Sequence, residues 1–310
     1  MTEPAHAGPV TVSVPDGPLV EAVSTFEHAT VTVWDIDRPA EGHIDLVVLP
    51  YMNPRMRLSL LATATPRLVQ TQTIGVDDVL AGAAAGFPVA NAAGVHEAST
   101  AEHTLALVLA SLRRIPEFRD DARRVGWRHE VTDSLIDKRV LLVGTGGVGR
   151  AIASRLGPFG VHLTTVGRTR RTVEGAVVHA VSELTELAAE ADVLIIAVPL
   201  SELTRGLIDA TVLERMPDGG LVVNVARGPV VDTTALLGQV RTGRLRAALD
   251  VTDPEPLPPD HELLRLANVL VTPHVGGASS AMLPRMIALV RDQIARLAEN
   301  RPPFNVVHTP

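Results

Sequence analysis

Three side chains in the second half of this 310-residue chain could together move a proton and hold an anion: Arg227, Glu255 and His274. Histidine titrates near neutral pH, so it can take a proton from a hydroxyl in one direction and return it in the other. A carboxylate hydrogen-bonded to an imidazole fixes its tautomer and favours its charged form. Glu255, in the turn DPEPLPP, is the candidate partner for His274. A planar guanidinium can hold a carboxylate and a carbonyl oxygen together while negative charge grows on the second. Arg227 is placed for that role, with Gly228 beside it to permit close approach. Singly each residue is ordinary, because polar side chains are mostly exposed. What joins them is that each closes or follows a short apolar run.

Those runs are GLVVNVAR, LRAALDV and NVLVTPH, rich in Val, Leu and Ala, as suits strands buried on both faces. Helix-like stretches, TTALLGQVRTG and HELLRL, lie between them. Strand, helix, strand implies right-handed crossovers and a parallel sheet. Ligands of such a sheet bind at the carboxyl ends of its strands. Gly144, Arg168, Pro199, Arg227, Asp250 and His274 all fall at such ends, brought to one edge by separate strands.

Upstream, the turn Gly144-Thr145-Gly146-Gly147-Val148-Gly149 directly follows KRVLLV and opens VGRAIASRL. The spacing GxGxxG is weak evidence in a chain with 24 glycines. Between a strand and a helix it gains force, because free backbone N–H groups at the helix start can bind a pyrophosphate. The next strand, VHLTTVG, ends at Gly167, about 18 residues on, where an NAD enzyme places an acid on the ribose hydroxyls. Here Arg168-Thr169-Arg170-Arg171 follows instead. Guanidinium groups clamp a 2′-phosphate that an acid would repel, so Arg168, Thr169 and Arg170 predict NADP(H) over NAD(H), with NAD(H) still possible. Dinucleotide and acid–base residues on one edge predict hydride transfer to or from a carbon that bears a hydroxyl.

In this order GTGGVG, AVP, NVARGPVVD, ALDVTDPEPL and VTPHVGG resemble the D-isomer-specific 2-hydroxyacid dehydrogenases, over nearly the whole chain. TIGVDDV resembles the substrate loop of that family, AEHTLALVLA its interdomain helix, and GWRHEVTDSLIDKRVLLVG its lead-in to the nucleotide domain. The resemblance implies an α/β fold of two Rossmann- or flavodoxin-like domains with parallel sheets and an active-site cleft between them. It also implies an NAD(P) cofactor and a homodimer joined through the nucleotide domains. By the same resemblance Asp250 and Pro199 border the cofactor, and the backbone N–H groups of Ile74 and Gly75 hold the substrate carboxylate. Departures are visible too. Thr73 stands where many relatives have glycine, and Pro273 precedes the histidine where formate dehydrogenases have glutamine, which disfavours formate. The basic edge and the lack of aromatic clustering near Tyr51 point to small 2-keto acids such as glyoxylate or hydroxypyruvate. Tyr51 and Met52 either sense the substrate side chain or cap the core. A relative acting on phosphite would use the same Arg, Glu and His, and a corepressor of this fold binds dinucleotide without turnover.

The first hundred residues repeat the alternation in VTVSVP, ATVTVWD, DLVVLP and RLVQTQT. ASTAEHTLALVLASLRRI and ASSAMLPRMIALVRDQIARLAENR are long amphipathic helices flanking the central unit, the first starting with a capping box from Ser99 to Glu102. Segment 115–138, with Trp127, joins the first helix to KRVLLVG. The expected division is a discontinuous substrate domain, 1–98 plus 280–310, around a nucleotide-binding domain, 99–279. Of the other histidines, His103 lies in a helix and His162 in a strand, and the sequence offers neither a carboxylate partner. Both are expected to be structural. There is no cysteine, which excludes disulfides, thiolate nucleophiles and cysteine–zinc sites, and no metal is expected. Net charge is −7 without long like-charged runs, against a nucleic-acid surface. The N-terminus MTEPAHAGPV lacks a basic-then-apolar leader, and no apolar run spans a bilayer, so a cytoplasmic protein without membrane contact is expected.

Overall fold

Alternate side chains of a strand feed opposite faces of its sheet, so a run that is apolar throughout needs a core on both sides. In the computed structural model such runs build two sheets. The structure describes residues 8–310, the side chain of Ala83 excepted, so the opening MTEPAHA, read for a leader, lies outside it. Five strands come first: β1 (Val10–Val14), β2 (Ala29–Val33), β3 (Leu46–Val48), β4 (Leu68–Gln70) and β5 (Val89–Ala90). Eight follow in the central region: β6 (Arg139–Val143), β7 (His162–Gly167), β8 (Arg171–Val173), β9 (Ala176–Ala180), β10 (Val193–Ile196), β11 (Leu221–Asn224), β12 (Arg246–Leu249) and β13 (Val269–Val271). The last is β14 (Val306–His308). The chain divides into two compact units, one ending at His96 and resumed at Ser280–Pro310, the other Glu97–Ser279.

In the first unit the strand order is β14-β5-β4-β3-β1-β2, a flavodoxin-like arrangement. All pairs are parallel except β14 on β5. Val12, Val14, Leu46, Val48 and Leu68 enter one core, where Met286, Val290 and Ile294 of the helix Met282–Ala298 cover them. Val47, Val69 and Val89 enter the core on the opposite face.

In the second unit the order is β13-β12-β11-β10-β6-β7-β9-β8, a Rossmann-type sheet extended by one strand at each edge. The pairs are parallel except β8 on β9, so the two sheets are mostly rather than wholly parallel. Leu141, Val143, Leu194, Ile196 and Val222 face one core, while Val140, Leu142, Val193, Ile195 and Val223 face the other. The order of winding reverses between β6 and β10, the switch point where such sheets open a crevice for ligands.

Two local expectations change. The first long helix is Glu97–Leu112, beginning two residues before Ser99, so Ser99 lies inside its first turn rather than capping it. Its hydroxyl instead meets that of Ser279 at 2.7 Å. HELLRL forms only a short 3-10 turn, Glu262–Leu264, which puts Leu263 into the core of the second unit. No helix among the described residues is long and apolar enough to cross a membrane.

Candidate active site

In the second unit, β6 enters the glycine-rich turn and the helix Gly147–Leu156 leaves it, with Gly146 as N-cap. The glycines answer to backbone rather than to side chains. A Cβ on Gly144 would lie 2.2 Å from the carbonyl oxygen of Ala197, just past β10, and one on Gly149 would lie 2.0 Å from the carbonyl oxygen of Gly144. Gly146 has open space on its Cβ side. A turn that tight, with free amides at a helix start, fits a dinucleotide pyrophosphate. Val148 packs its side chain toward the core behind the turn. Gly147 faces Glu97, whose Cγ and Oε1 would both lie 2.9 Å from an added Cβ. A carboxyl side chain therefore borders the glycine-rich turn.

Beyond β7 the basic cluster is not a plain loop, because Arg171 opens the hairpin β8–β9. The antiparallel return turns Arg171 back across Gly167, where its guanidinium donates to Thr145 Oγ1 at 2.6 Å and to the Thr169 carbonyl at 3.2 Å. Arg170 is paired with Glu183 at 2.6 Å. The hydrogen bond from His179, then the amide of Ala180, then Arg170 hold the Glu183 carboxyl at a pKa of about 2. Arg168 is exposed, and among the described residues it makes no hydrogen bond or ion pair. Pro199, exposed after β10, accepts from Thr204 Oγ1 at 2.7 Å through its carbonyl.

Arg227 follows β11 by three residues. Asn224, only 1% exposed, shapes that step: its amide donates to the Arg227 carbonyl at 3.0 Å and its carbonyl accepts from Ala226 N–H at 3.0 Å. The Arg227 guanidinium donates to the Ala226 carbonyl at 2.9 Å, which limits its rotamers. Gly228 does allow a close approach, but to backbone. An added Cβ would stand 1.8 Å from the carbonyl oxygen of Thr252, so the arginine turn is packed on the loop that carries Glu255.

His274 Nδ1 lies 2.6 Å from Glu255 Oε1, with both side chains partly exposed. With Nδ1–H donated to the carboxylate, Nε2 is left to exchange a proton with a substrate. Burial pushes the Glu255 carboxyl up, but the hydrogen bond and charge of His274, the Thr252 amide at 3.4 Å and the charge of Arg227 outweigh it and hold the group below its ordinary value. His274 itself sits at φ 53°, a left-handed conformation that costs a non-glycine residue about 1–2 kcal/mol.

Asp250 supports that conformation. Its carbonyl accepts from His274 N–H at 2.8 Å, Oδ1 from Val275 N–H at 2.9 Å, and Oδ2 from Gly276 N–H at 2.8 Å. Thr272 Oγ1 donates to Oδ1 at 2.7 Å. His103, for which the sequence offered no carboxylate, lies 3.2 Å from the same oxygen. The pairing was not legible because 147 positions separate the two residues along the chain, a span over which no local pattern connects them. Burial pushes the Asp250 pKa up, yet His103, Thr272 and the two amides bring it down to about 2. A carboxyl depressed from 3.8 to about 2 is worth about 2 kcal/mol, present above the unfolded value and lost as pH falls toward 2. Denaturant titrations at pH 7 and pH 3 should therefore show a larger loss of stability in the wild type than in Asp250→Asn. An equal drop in both proteins would refute it.

In the first unit, the loop after β4 holds Ile74 and Gly75. The carbonyls of Thr73, Ile74 and Gly75 accept from Thr71 Oγ1, Asn91 Nδ2 and Thr73 Oγ1 at 2.7, 2.9 and 2.7 Å. Thr73, in place of a glycine, thus acts as a strut. Among the described residues nothing accepts from the amides of Ile74 or Gly75, which leaves two donors for an anion. Tyr51 stacks on His96, ring centroids 5.9 Å apart, and Met52 is half exposed. No group of three or more His, Asp or Glu side chains among the described residues could hold a metal.

A Rossmann-type sheet with a pyrophosphate turn at its switch point, a basic end to the next strand and a histidine–glutamate pair on the same edge defines a nicotinamide-dinucleotide oxidoreductase. Residues 105–276 match the family model for the D-isomer specific 2-hydroxyacid dehydrogenase NAD-binding domain, and the chain belongs to that family. It is an NAD(P)-dependent 2-hydroxyacid dehydrogenase. The chain is 32% identical over 281 residues to human glyoxylate reductase/hydroxypyruvate reductase, covering 83% of this chain and 84% of that protein. To the glyoxylate reductase of Aeropyrum pernix it is 33% identical over 299 residues, 90% and 89% of the two chains. Among solved structures, a D-isomer specific 2-hydroxyacid dehydrogenase of Xanthobacter autotrophicus with NADPH bound gives a TM-score of 0.83 at 27% identity, covering 97% and 98%. The NADPH-dependent glyoxylate/hydroxypyruvate reductase of Sinorhizobium meliloti, with NADP and sulfate, gives 0.82 at 25%, with the same coverage.

Proposed function

We propose that the protein reduces small 2-keto acids, of the glyoxylate and hydroxypyruvate kind, with NADPH as donor. The observation that carries this reading is the His274–Glu255 pair, 2.6 Å apart, on the strand edge that also holds the glycine-rich turn. When bound, the dihydronicotinamide supplies the hydride. The chain's own residues do the rest. His274 gives the substrate oxygen a proton from Nε2, and Glu255, accepting from Nδ1, keeps the ring oriented. Arg227 balances the charge that grows on that oxygen. The amides of Ile74 and Gly75 take the substrate carboxylate. Gly144, Gly146, Gly147, Val148 and Gly149 cradle the pyrophosphate, and Asp250 and Pro199 border the nicotinamide end. The human and Aeropyrum pernix relatives are named for glyoxylate and hydroxypyruvate, which supports the substrate class.

NADPH is preferred because Arg168 has its guanidinium uncommitted and Arg171 spans from Gly167 to the glycine-rich turn, where a 2′-phosphate would meet both. Arg170, tied to Glu183, contributes less than its place in the sequence suggested. Arg168→Ala should lower kcat/KM for NADPH about tenfold, the worth of one charge-assisted hydrogen bond, and leave NADH within about twofold. Equal losses with both cofactors would overturn the assignment.

Initial rates of NADPH and NADH oxidation with glyoxylate, hydroxypyruvate, pyruvate and longer keto acids test the whole reading. Strong turnover only with aromatic or branched keto acids would sink the substrate class.

A homodimer is part of the same proposal. Val125, Trp127, Val131 and Ile136 expose 72, 98, 90 and 63% of their surface within a dozen residues after the helix Ile115–Arg124, a concentration of bare apolar side chains of the kind that marks an interaction surface. A second copy of the chain would cover it. Light scattering should return twice 32.9 kDa, and a mass equal to one chain would refute the pairing.

A further inference from the structure

We propose that His103, on the helix Glu97–Leu112, is a positioning residue for the reaction, acting on His274 through Asp250 and Thr272. The inference rests on the reading of His274 as the acid and base. His103 Nε2 stands 3.0 Å from Thr272 Oγ1 and 3.2 Å from Asp250 Oδ1. Thr272 has one hydroxyl proton, and it goes to Asp250 Oδ1 at 2.7 Å. The threonine oxygen can therefore only accept from the ring, and an ionised Asp250 can only accept. Both contacts require a proton on Nε2 of His103. That proton ties together the two side chains that bracket the start of the 272–276 loop.

The loop is where the effect lands. Asp250 receives the amides of three successive residues, His274, Val275 and Gly276, one through its carbonyl and two through its carboxylate. These bonds hold His274 at φ 53°, a conformation the residue does not choose on its own. Packing around the carboxylate leaves no slack, since a Cβ on Gly276 would lie 2.9 Å from Asp250 Oδ2 and 3.7 Å from the His103 ring. With the Nε2 donor removed, Asp250 loses a partner and Thr272 an anchor. The loop then relaxes, and the His274 ring drifts from Glu255. The second unit thus carries two imidazole–carboxylate pairs in series, one reacting and one holding.

Three variants test this. His103→Gln places an amide N–H near the Nε2 position, His103→Asn places one too short to reach, and His103→Leu places none. In ¹⁵N-histidine-labelled protein, the Nδ1 proton that His274 shares with Glu255 should give a resonance in the wild type and in His103→Gln, and should be lost to exchange in His103→Asn and His103→Leu. In parallel, kcat should fall about 10- to 100-fold in Asn and Leu, as a displacement of about 1 Å produces, with KM for the keto acid within about twofold and Gln largely restored. The resonance and the wild-type kcat both surviving in His103→Asn would overturn the proposal, as would a Gln variant no better than Asn. If Leu fails to fold, the Gln and Asn pair decides. The resonance needs no turnover, so it stands even if no keto acid is reduced by the wild type.

Discussion

Replacing His274 with alanine should lower kcat for keto-acid reduction by about 10³-fold, the middle of the range for a positioned general acid, while NADPH binding stays within about twofold. The separation comes from placement. The ring lies just past β13 and the pyrophosphate turn just past β6, with β12, β11 and β10 between those two strands in the sheet. Glu255→Gln should cost less, about tenfold, because a glutamine oxygen can still accept from Nδ1 at 2.6 Å and only the charge is lost. Its carboxyl lies below its ordinary value and stays ionised through the working pH range, so that charge is a constant of the site rather than a switch. Stopped-flow mixing with NADPH and a keto acid separates binding from the chemical step. A His274→Ala protein with kcat near that of the wild type would remove the histidine from the mechanism.

Arg227→Ala should be of similar size but different in kind, with kcat/KM falling about 10³-fold and KM for the keto acid rising as well. In the role proposed for it the guanidinium meets substrate before and during charge growth, so both binding and chemistry would depend on it. Arg227→Lys should recover only part of the loss, since an ammonium has no planar fork for two oxygens. Free guanidinium ion added to the alanine variant should restore some activity. Were the lysine variant fully active, the two-oxygen role would be wrong.

The sheet and the gathering of its strand ends at one edge were legible because each depends on local pattern. Apolar runs such as RVLLV and VLII must be strands buried on both faces, and in a parallel sheet the residues at the carboxyl ends of such runs must share one edge. Residues that act through distant partners were not legible. Asn224 could have been noticed as a polar residue ending the run LVVN, but its duty to the Arg227 turn depends on a bend no period reveals. The engagement of Arg170 by Glu183 and the return of Arg171 across Gly167 arise from the hairpin β8–β9, whose first strand, RTV, is exposed throughout and too short to show a period. Likewise the start of the helix at Glu97 was hidden by Ser99-Thr100-Ala101-Glu102, a sequence that mimics a cap. A serine there has a different partner, Ser279.

That hydroxyl pair has a bearing on how such a chain could have been assembled. Ser99 and Ser279 lie within three residues of the two points where the nucleotide-binding unit begins and ends, and their side chains touch at 2.7 Å. The unit therefore enters and leaves by one doorway, as a cassette spliced into a host gene must if neither partner is to be torn open. Cut out as a single piece, 97–279 carries its complete sheet and both of its cores, and dinucleotide binding by the excised piece is the measure of whether that independence is real.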